Sequence, residues 1–152
     1  WKDLQRLEIS KKCELILVGN GKISSEFRNL KSIKIINFLQ PQNLFKLARG
    51  TDCFILPSNF EPWGVVLHEF AYLGLPLIVS DKVGSIPYFL IDEYNGYIFK
   101  NSDSKDLLDK IIKFSKLSNN DIEKMKNASK LLGSRINTKQ SAKSLLSKIK
   151  NL

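Results

Sequence analysis

Two carboxylates eight positions apart, Glu61 and Glu69, bracket the stretch of this sequence with the most chemistry, Asn59-Phe60-Glu61-Pro62-Trp63-Gly64-Val65-Val66-Leu67-His68-Glu69. The apolar run Cys53-Phe54-Ile55-Leu56 before it reads as a buried strand. Val65 to Leu73 after it reads as a short helix ending at Gly74. Glu61 then sits in the loop ahead of the helix, and Glu69 just over one turn inside it. First-turn N–H groups have no intrahelical partner and carry partial positive charge, so phosphate is their natural ligand. A carboxylate beside a phosphate would repel it. Hydroxyls are the better match for both acids. A ligand with a phosphate and a set of hydroxyls is a sugar nucleotide.

The rest of the chain must position that turn. Trp1 to Ile9 reads as an amphipathic helix with Leu4 and Leu7 inward. Glu14 to Val18, Ile33 to Asn37, Cys53 to Leu56, Leu77 to Val79 and Tyr97 to Phe99 read as strands. Helices are expected at Ile23–Leu30, from Gln40 to Arg49, at Val65–Leu73 and at Ser85–Leu90. Three more follow, at about 103–117, 120–132 and 138–150. Their N-terminal signals are Ser102 or Asp103, Ser118 or Asn119, and Asn137 or Thr138. Gly133 suits a left-handed stop for the middle one. The first strand is apolar on both faces, as a covered parallel sheet requires. Strands alternating with helices give an α/β fold, a parallel sheet with helices on both faces. Ligands then bind beyond the carboxyl ends of the strands. Those ends carry Gly19–Gly21, Phe38–Gln42, Pro57–Gly64 and Ser80–Ser85, all on one rim.

A length of 152 residues with 43% hydrophobic content fits one ordinary globular domain. The opening Trp1 in place of Met reads as a fragment of something longer. No apolar run approaches the ~20 residues of a membrane span, and no leader pattern opens the chain. Cys13 and Cys53 lack partner spacing and read as buried free thiols in a reducing compartment. With a single His, no zinc cluster is expected. Net charge is +9, but residues 1–50 carry +6, residues 51–100 carry −4 and residues 101–152 carry +7. An acidic centre between basic flanks argues against nucleic acid. A basic rim suits a phosphorylated substrate or an anionic membrane face, or is simply a solvated lysine-rich surface.

The central stretch resembles the Glu-x7-Glu motif of retaining glycosyltransferases with the two-domain GT-B fold. Leu56-Pro57-Ser58 before it, Phe70-Ala71-Tyr72-Leu73-Gly74-Leu75-Pro76 after it, Asn95-Gly96 further on and Val18-Gly19-Asn20-Gly21 upstream match too. The resemblance runs from about Leu4 to about Phe114. It implies the C-terminal, sugar-nucleotide-binding domain of such an enzyme, Rossmann-like, spanning 1–152 and completed by helices 103–150. The family's domain begins with a further, central strand and a loop bearing an Arg and a Lys for the diphosphate. No residue here matches that strand or that pair, so either the sheet is altered or other residues fill the gap.

The resemblance also implies roles. Glu61 is the catalytic candidate, accepting from donor-sugar hydroxyls and stabilising positive charge at the anomeric carbon. A bland alternative is an acid favouring the helix dipole. Glu69 would bind the ribose hydroxyls, or be a solvated helix acid. Gly64 and Val65 would bring backbone N–H groups to the diphosphate. Trp63 would stack on a sugar or serve as a hydrophobic anchor. Gly19 and Gly21 would line the nucleotide cleft, or make a plain tight turn. Phe38 and Leu39 would offer backbone to the base. His68 reads as structural. Ser58 and Asp81 have no partner that would make them a nucleophile or a base.

The reaction implied is transfer of a sugar from a nucleoside diphosphate to an acceptor hydroxyl with retention, without cofactor or metal. Expected partners are the nucleotide-sugar donor, an acceptor glycan or lipid-linked glycan, the missing N-terminal acceptor domain and a peripheral membrane contact, with no nucleic acid. The setting expected is bacterial polysaccharide biosynthesis in the cytoplasm, at the inner face of the membrane. A sugar-nucleotide 2-epimerase of the same fold and a non-enzymatic basic module are the competing readings.

Overall fold

A computed structural model describes residues 1–21 and 30–137, and positions 139, 142, 143, 146 and 147 beyond them. The helix expected at 23–30 lies outside the described residues but for its last position, and of the helix expected at 138–150 the five described positions are helical. Among the described residues there are five strands: β1 (Leu15–Val18), β2 (Ile33–Ile36), β3 (Phe54–Leu56), β4 (Leu77–Ser80) and β5 (Gly96–Phe99). Every pairing is parallel, with Leu15 opposite Ile33, Phe54 opposite Leu77, and Leu77 opposite Gly96. Parallel neighbours need crossovers: α1 (Pro41–Ala48) runs between the two sheets from β2 to β3, while α2 (Val65–Tyr72) joins β3 to β4 and α3 (Ile86–Phe89) joins β4 to β5, followed by α4 (Ser104–Ser115) and α5 (Asn119–Gly133).

β4 is the axis of the core. All four of its residues are buried, and its alternating side chains divide two apolar clusters. Leu77 and Val79 face Leu67, Phe70 and Ala71 of α2 and Phe89 of α3. Ile78 faces the other way, onto Tyr97 and Phe99 of β5, Phe114 of α4 and Met125 of α5. Burying each such side chain contributes about 1.5–3 kcal/mol. The expected α/β architecture with helices on both faces is therefore present around β4.

The strands do not form one sheet. β1 and β2 make a two-stranded sheet, and β3, β4 and β5 a three-stranded one. β1 and β3 are each paired on one side only. Accordingly their apolar side chains are half-buried, and Val18 is exposed. The expectation of a β1 covered on both faces is corrected here. Among the described residues β1 and β3 each leave one edge unpaired, where the unmatched first strand of the family would fall.

Three local readings also change. The expected N-terminal helix is two 3₁₀ turns, Leu4–Arg6 and Glu8–Lys12. Leu4 is buried, but Leu7 is extended and 40% exposed. A single inward apolar residue is too little to hold a full helix. Gly133 is the last residue of α5, not a left-handed stop, and Ser134 after it keeps right-handed geometry. Its lack of a side chain serves packing: a Cβ there would stand 2.3 Å from the Tyr72 amide nitrogen. The two cysteines are free, but half-buried. Burial and then the neighbouring Asp52 carboxylate push the Cys53 thiol up to about 12.

Several ends match their sequence signals. Gly74 is left-handed (φ 81°) just past α2. The Asp103 carboxylate accepts from the Lys105 and Asp106 N–H groups at the start of α4. The Ser118 hydroxyl accepts from Asp121 N–H at 3.2 Å at the start of α5. Among the described residues no helix is long and apolar enough to cross a membrane.

Candidate functional site

The turn from Glu61 to Val65 is built on backbone contacts beyond the ends of β3 and β4. Glu61 N–H donates to the Lys82 carbonyl at 3.0 Å, and the Glu61 carbonyl accepts from Gly84 N–H at 2.9 Å. Together these make a short parallel bridge between Glu61 and Val83. The Trp63 carbonyl accepts from Ser85 N–H at 2.9 Å. The buried Ser85 hydroxyl donates to the Gly64 carbonyl at 3.3 Å. The turn is thus fastened at three successive points, before a ligand is involved.

Gly64 occupies the N-cap of α2 in the left-handed region, φ 84°. A Cβ there would meet both Glu61 Cγ and Val83 Cγ1 at 3.0 Å. Conformation and space both call for glycine. Glycine also brings no side chain to cap the helix; Leu67 N–H turns back to the Gly64 carbonyl at 2.9 Å, and among the described residues the Val65 and Val66 N–H groups are left for another acceptor.

Glu61 and Glu69 are both half-buried, while Gly64 is buried and Val65 exposed. Among the described residues neither carboxylate is paired with a Lys or Arg. Trp63 is 42% exposed, so it is no buried anchor. Its ring lies 5.1 Å from the Tyr88 ring, which is also exposed, and 6.4 Å from Phe89. His68 stacks on Phe89 at 4.3 Å, and its Nε2 lies 2.9 Å from the Gly133 carbonyl oxygen. That is a packing role, as read from the sequence.

Glu61, Trp63, Gly64, Val65 and Glu69 therefore share one loop and one helix. Gly19, Gly21, Phe38 and Leu39 gather elsewhere, at the carboxyl ends of β1 and β2. There Gly19 N–H donates to the Ile36 carbonyl at 3.0 Å, and Phe38 N–H donates to Asn20 Oδ1 at 2.9 Å. Phe38 is 62% exposed and Leu39 half-buried. A Cβ on Gly19 or Gly21 would meet nothing within 4 Å, so only the φ of 142° at Gly19 asks for glycine. Among the described residues no backbone ladder joins the two groups.

Sequence reading missed the fasteners Gly84, Ser85 and Asn20. Their only signal was small or polar side chains at strand ends. It also missed a shallow hollow of about 290 Å³, lined by Asp81, Val83, Gly84, Ile86, Pro87 and Ile98. The hollow borders the fastened turn but takes in none of the predicted site residues. Among the described residues no group of three or more His, Cys, Asp or Glu could hold a metal ion.

Residues 2–131 match the family model described as glycosyl transferases group 1. The chain belongs to that family. This group 1 chain is 30% identical over 108 residues to the D-inositol 3-phosphate glycosyltransferase of Saccharomonospora viridis, covering 62% of the chain and 25% of the relative. It is 29% identical over 100 residues to an uncharacterized glycosyltransferase of Methanocaldococcus jannaschii, covering 60% of the chain and 25% of the relative. It thus spans about a quarter of the length of these two relatives. In fold it is similar to Anabaena HepE in complex with UDP-glucose (TM-score 0.74, 16% identity, 95% of this chain and 44% of that one). It is likewise similar to the pneumococcal O-GlcNAc transferase GtfA in complex with UDP and GlcNAc (TM-score 0.74, 21% identity, 99% and 30%).

Proposed function

We propose that residues 1–152 form the sugar-nucleotide-binding domain of a longer, retaining glycosyltransferase, with helices 103–150 completing that domain. The observation that carries this reading is the fastened turn at the start of α2. It leaves uncapped helix N–H groups between two half-buried acids, neither of which has a basic partner among the described residues. The α2 entrance would take the diphosphate oxygens. Glu61 would accept from the donor-sugar hydroxyls and Glu69 from the ribose hydroxyls.

In the reaction the bond from the anomeric carbon to the diphosphate breaks, and the nucleoside diphosphate leaves with the electron pair. The acceptor hydroxyl oxygen bonds to the same face of that carbon and gives its proton to the departing phosphate oxygen. Glu61 lowers the barrier by opposing the positive charge that grows there. Both acids serve as hydroxyl ligands, not as covalent nucleophiles. The remainder of the enzyme supplies the acceptor domain for a glycan or lipid-linked glycan, so the 152-residue chain alone is expected to be inactive. A lipid-linked acceptor would place the enzyme at the inner face of a membrane.

Because HepE and GtfA were solved with uridine nucleotides, uridine diphosphate is the first probe. The test is a calorimetric titration of this chain with uridine, guanosine and adenosine diphosphates and their sugars. Saturable binding that weakens in Glu69→Ala supports the reading. Absence of binding to every one of them would sink it.

A further inference from the structure

Positive charge collects at the far end of α2 from the fastened turn. From Lys124 to Leu152 the sequence has eight Lys or Arg and no Asp or Glu. α5 positions the first of them. Met125, Ala128, Ser129, Leu132 and Gly133 are buried, so helical periodicity turns Lys124, Asn127, Lys130, Leu131 and Ser134 outward. Leu131 is 57% exposed on this outer face, and Ile136 just beyond the helix is exposed too. Tyr72, the last residue of α2, is 58% exposed and abuts Gly133. Lys130 lies beside Gly74, its Cβ 3.6 Å from where a Cβ on that glycine would be. Lys124 and Lys126 are paired with Asp121 and Glu123. Lys130, Arg135, Lys139 and Lys143 have no acidic partner among the described residues.

We infer that this face, from Tyr72 across Lys130, Leu131, Arg135 and Ile136, docks on an anionic lipid bilayer. Two properties coincide there, and a bilayer surface answers both. Anionic headgroups attract unpaired Lys and Arg. The interfacial layer beneath takes Leu, Ile and Tyr side chains that water does not. A polynucleotide would answer only the charge, since it offers no apolar layer for Leu131 and Ile136. Tyr72 closes α2 and Gly64 opens it, about 12 Å apart at the helical rise. The docking face and the donor turn are therefore separate, and neither proposal depends on the other.

The test is flotation of the full chain with phosphatidylcholine vesicles, with and without phosphatidylglycerol. Binding is expected only with the anionic lipid, and it should fall as salt rises. Lys130→Gln with Arg135→Gln should weaken it about thirtyfold, and Leu131→Asn about tenfold. Leu131→Phe should retain it. All four changes sit at exposed positions, and uridine diphosphate affinity is expected to stay as it is in the parent chain. Equal binding to neutral and anionic vesicles would overturn the proposal. So would indifference to Leu131→Asn together with equally tight binding to a polynucleotide, which would assign the face to nucleic acid.

Discussion

A Cβ added to Gly84 would stand 2.0 Å from the Pro62 carbonyl oxygen, so these two residues meet backbone to backbone. This contact lies inside the bridge that holds Glu61. Gly84→Ala must push the loop away, and with it the carboxylate. Overpacking of this kind costs about 1–3 kcal/mol. The expected result is a lower melting temperature and donor binding weakened by roughly tenfold or more. Ser85→Ala removes one hydrogen bond and leaves the spacing alone, so it should cost about 1 kcal/mol. Thermal melts with and without uridine diphosphate check both.

Glu61→Gln keeps the shape of the side chain and removes its charge. In the full-length enzyme it is expected to lower transfer at least about tenfold while the nucleotide still binds. Steady-state kinetics beside a nucleotide titration separate the two effects. Near-normal turnover would refute the role of Glu61.

Glu69→Ala should act on affinity, not on chemistry. A carboxylate holding two hydroxyls is worth enough that its loss weakens nucleoside diphosphate binding roughly tenfold or more. A 2′,3′-dideoxy nucleotide should show the same weakened affinity on the parent chain, and no further loss on the variant. Unchanged affinity in Glu69→Ala would assign Glu69 to the solvated surface.

Gly133→Ala would put a methyl 2.3 Å from the Tyr72 amide nitrogen and 2.6 Å from the Ala71 carbonyl carbon. Backbone cannot move aside as a side chain tip can. The helices α2 and α5 must part, at an expected cost of about 2 kcal/mol or more. Chemical denaturation measures it. A stabilised Gly133→Ala would show that the helices do not approach in this way.

Cys53 links stability to alkaline pH. Its thiol ionises near 9 in an ordinary setting and at about 12 in the fold. Between those values the unfolded chain gives up the proton first, so the folded state binds more protons there. Stability therefore falls as pH rises through that window, and it is untouched below it. Cys53→Ala should flatten the fall relative to the parent chain. At pH 8 Cys53 should resist alkylation until the chain is unfolded.

What could be read from residues alone follows from how local each signal is. Leu77 to Val79 was legible as a strand because its apolar run is unbroken, and burial on both faces asks for nothing else. The α2 entrance was legible because Gly64 and the flanking acids sit within nine positions of one another. Asp103 and Ser118 announced their helices through caps that act over three residues. Contacts between distant segments left no such mark. The meeting of Gly84 with Pro62, and of Gly133 with Tyr72, appears in sequence only as two more glycines. Leu7 looked inward because it matched a helical period, but the turn it occupies has none. The split into two sheets was signalled only by the unmatched central strand, since strand pairing on one side or two leaves the same residues in the strand.

Among the described residues the two parallel sheets share no backbone ladder. No described strand pairing forces the half that carries Gly19 and Phe38 to melt at the same temperature as the half that carries Glu61 and Gly64. A nucleotide gripped by both would act as a pin through them. Saturating ligand should then merge two calorimetric transitions into one, with the larger upward shift in the two-stranded half.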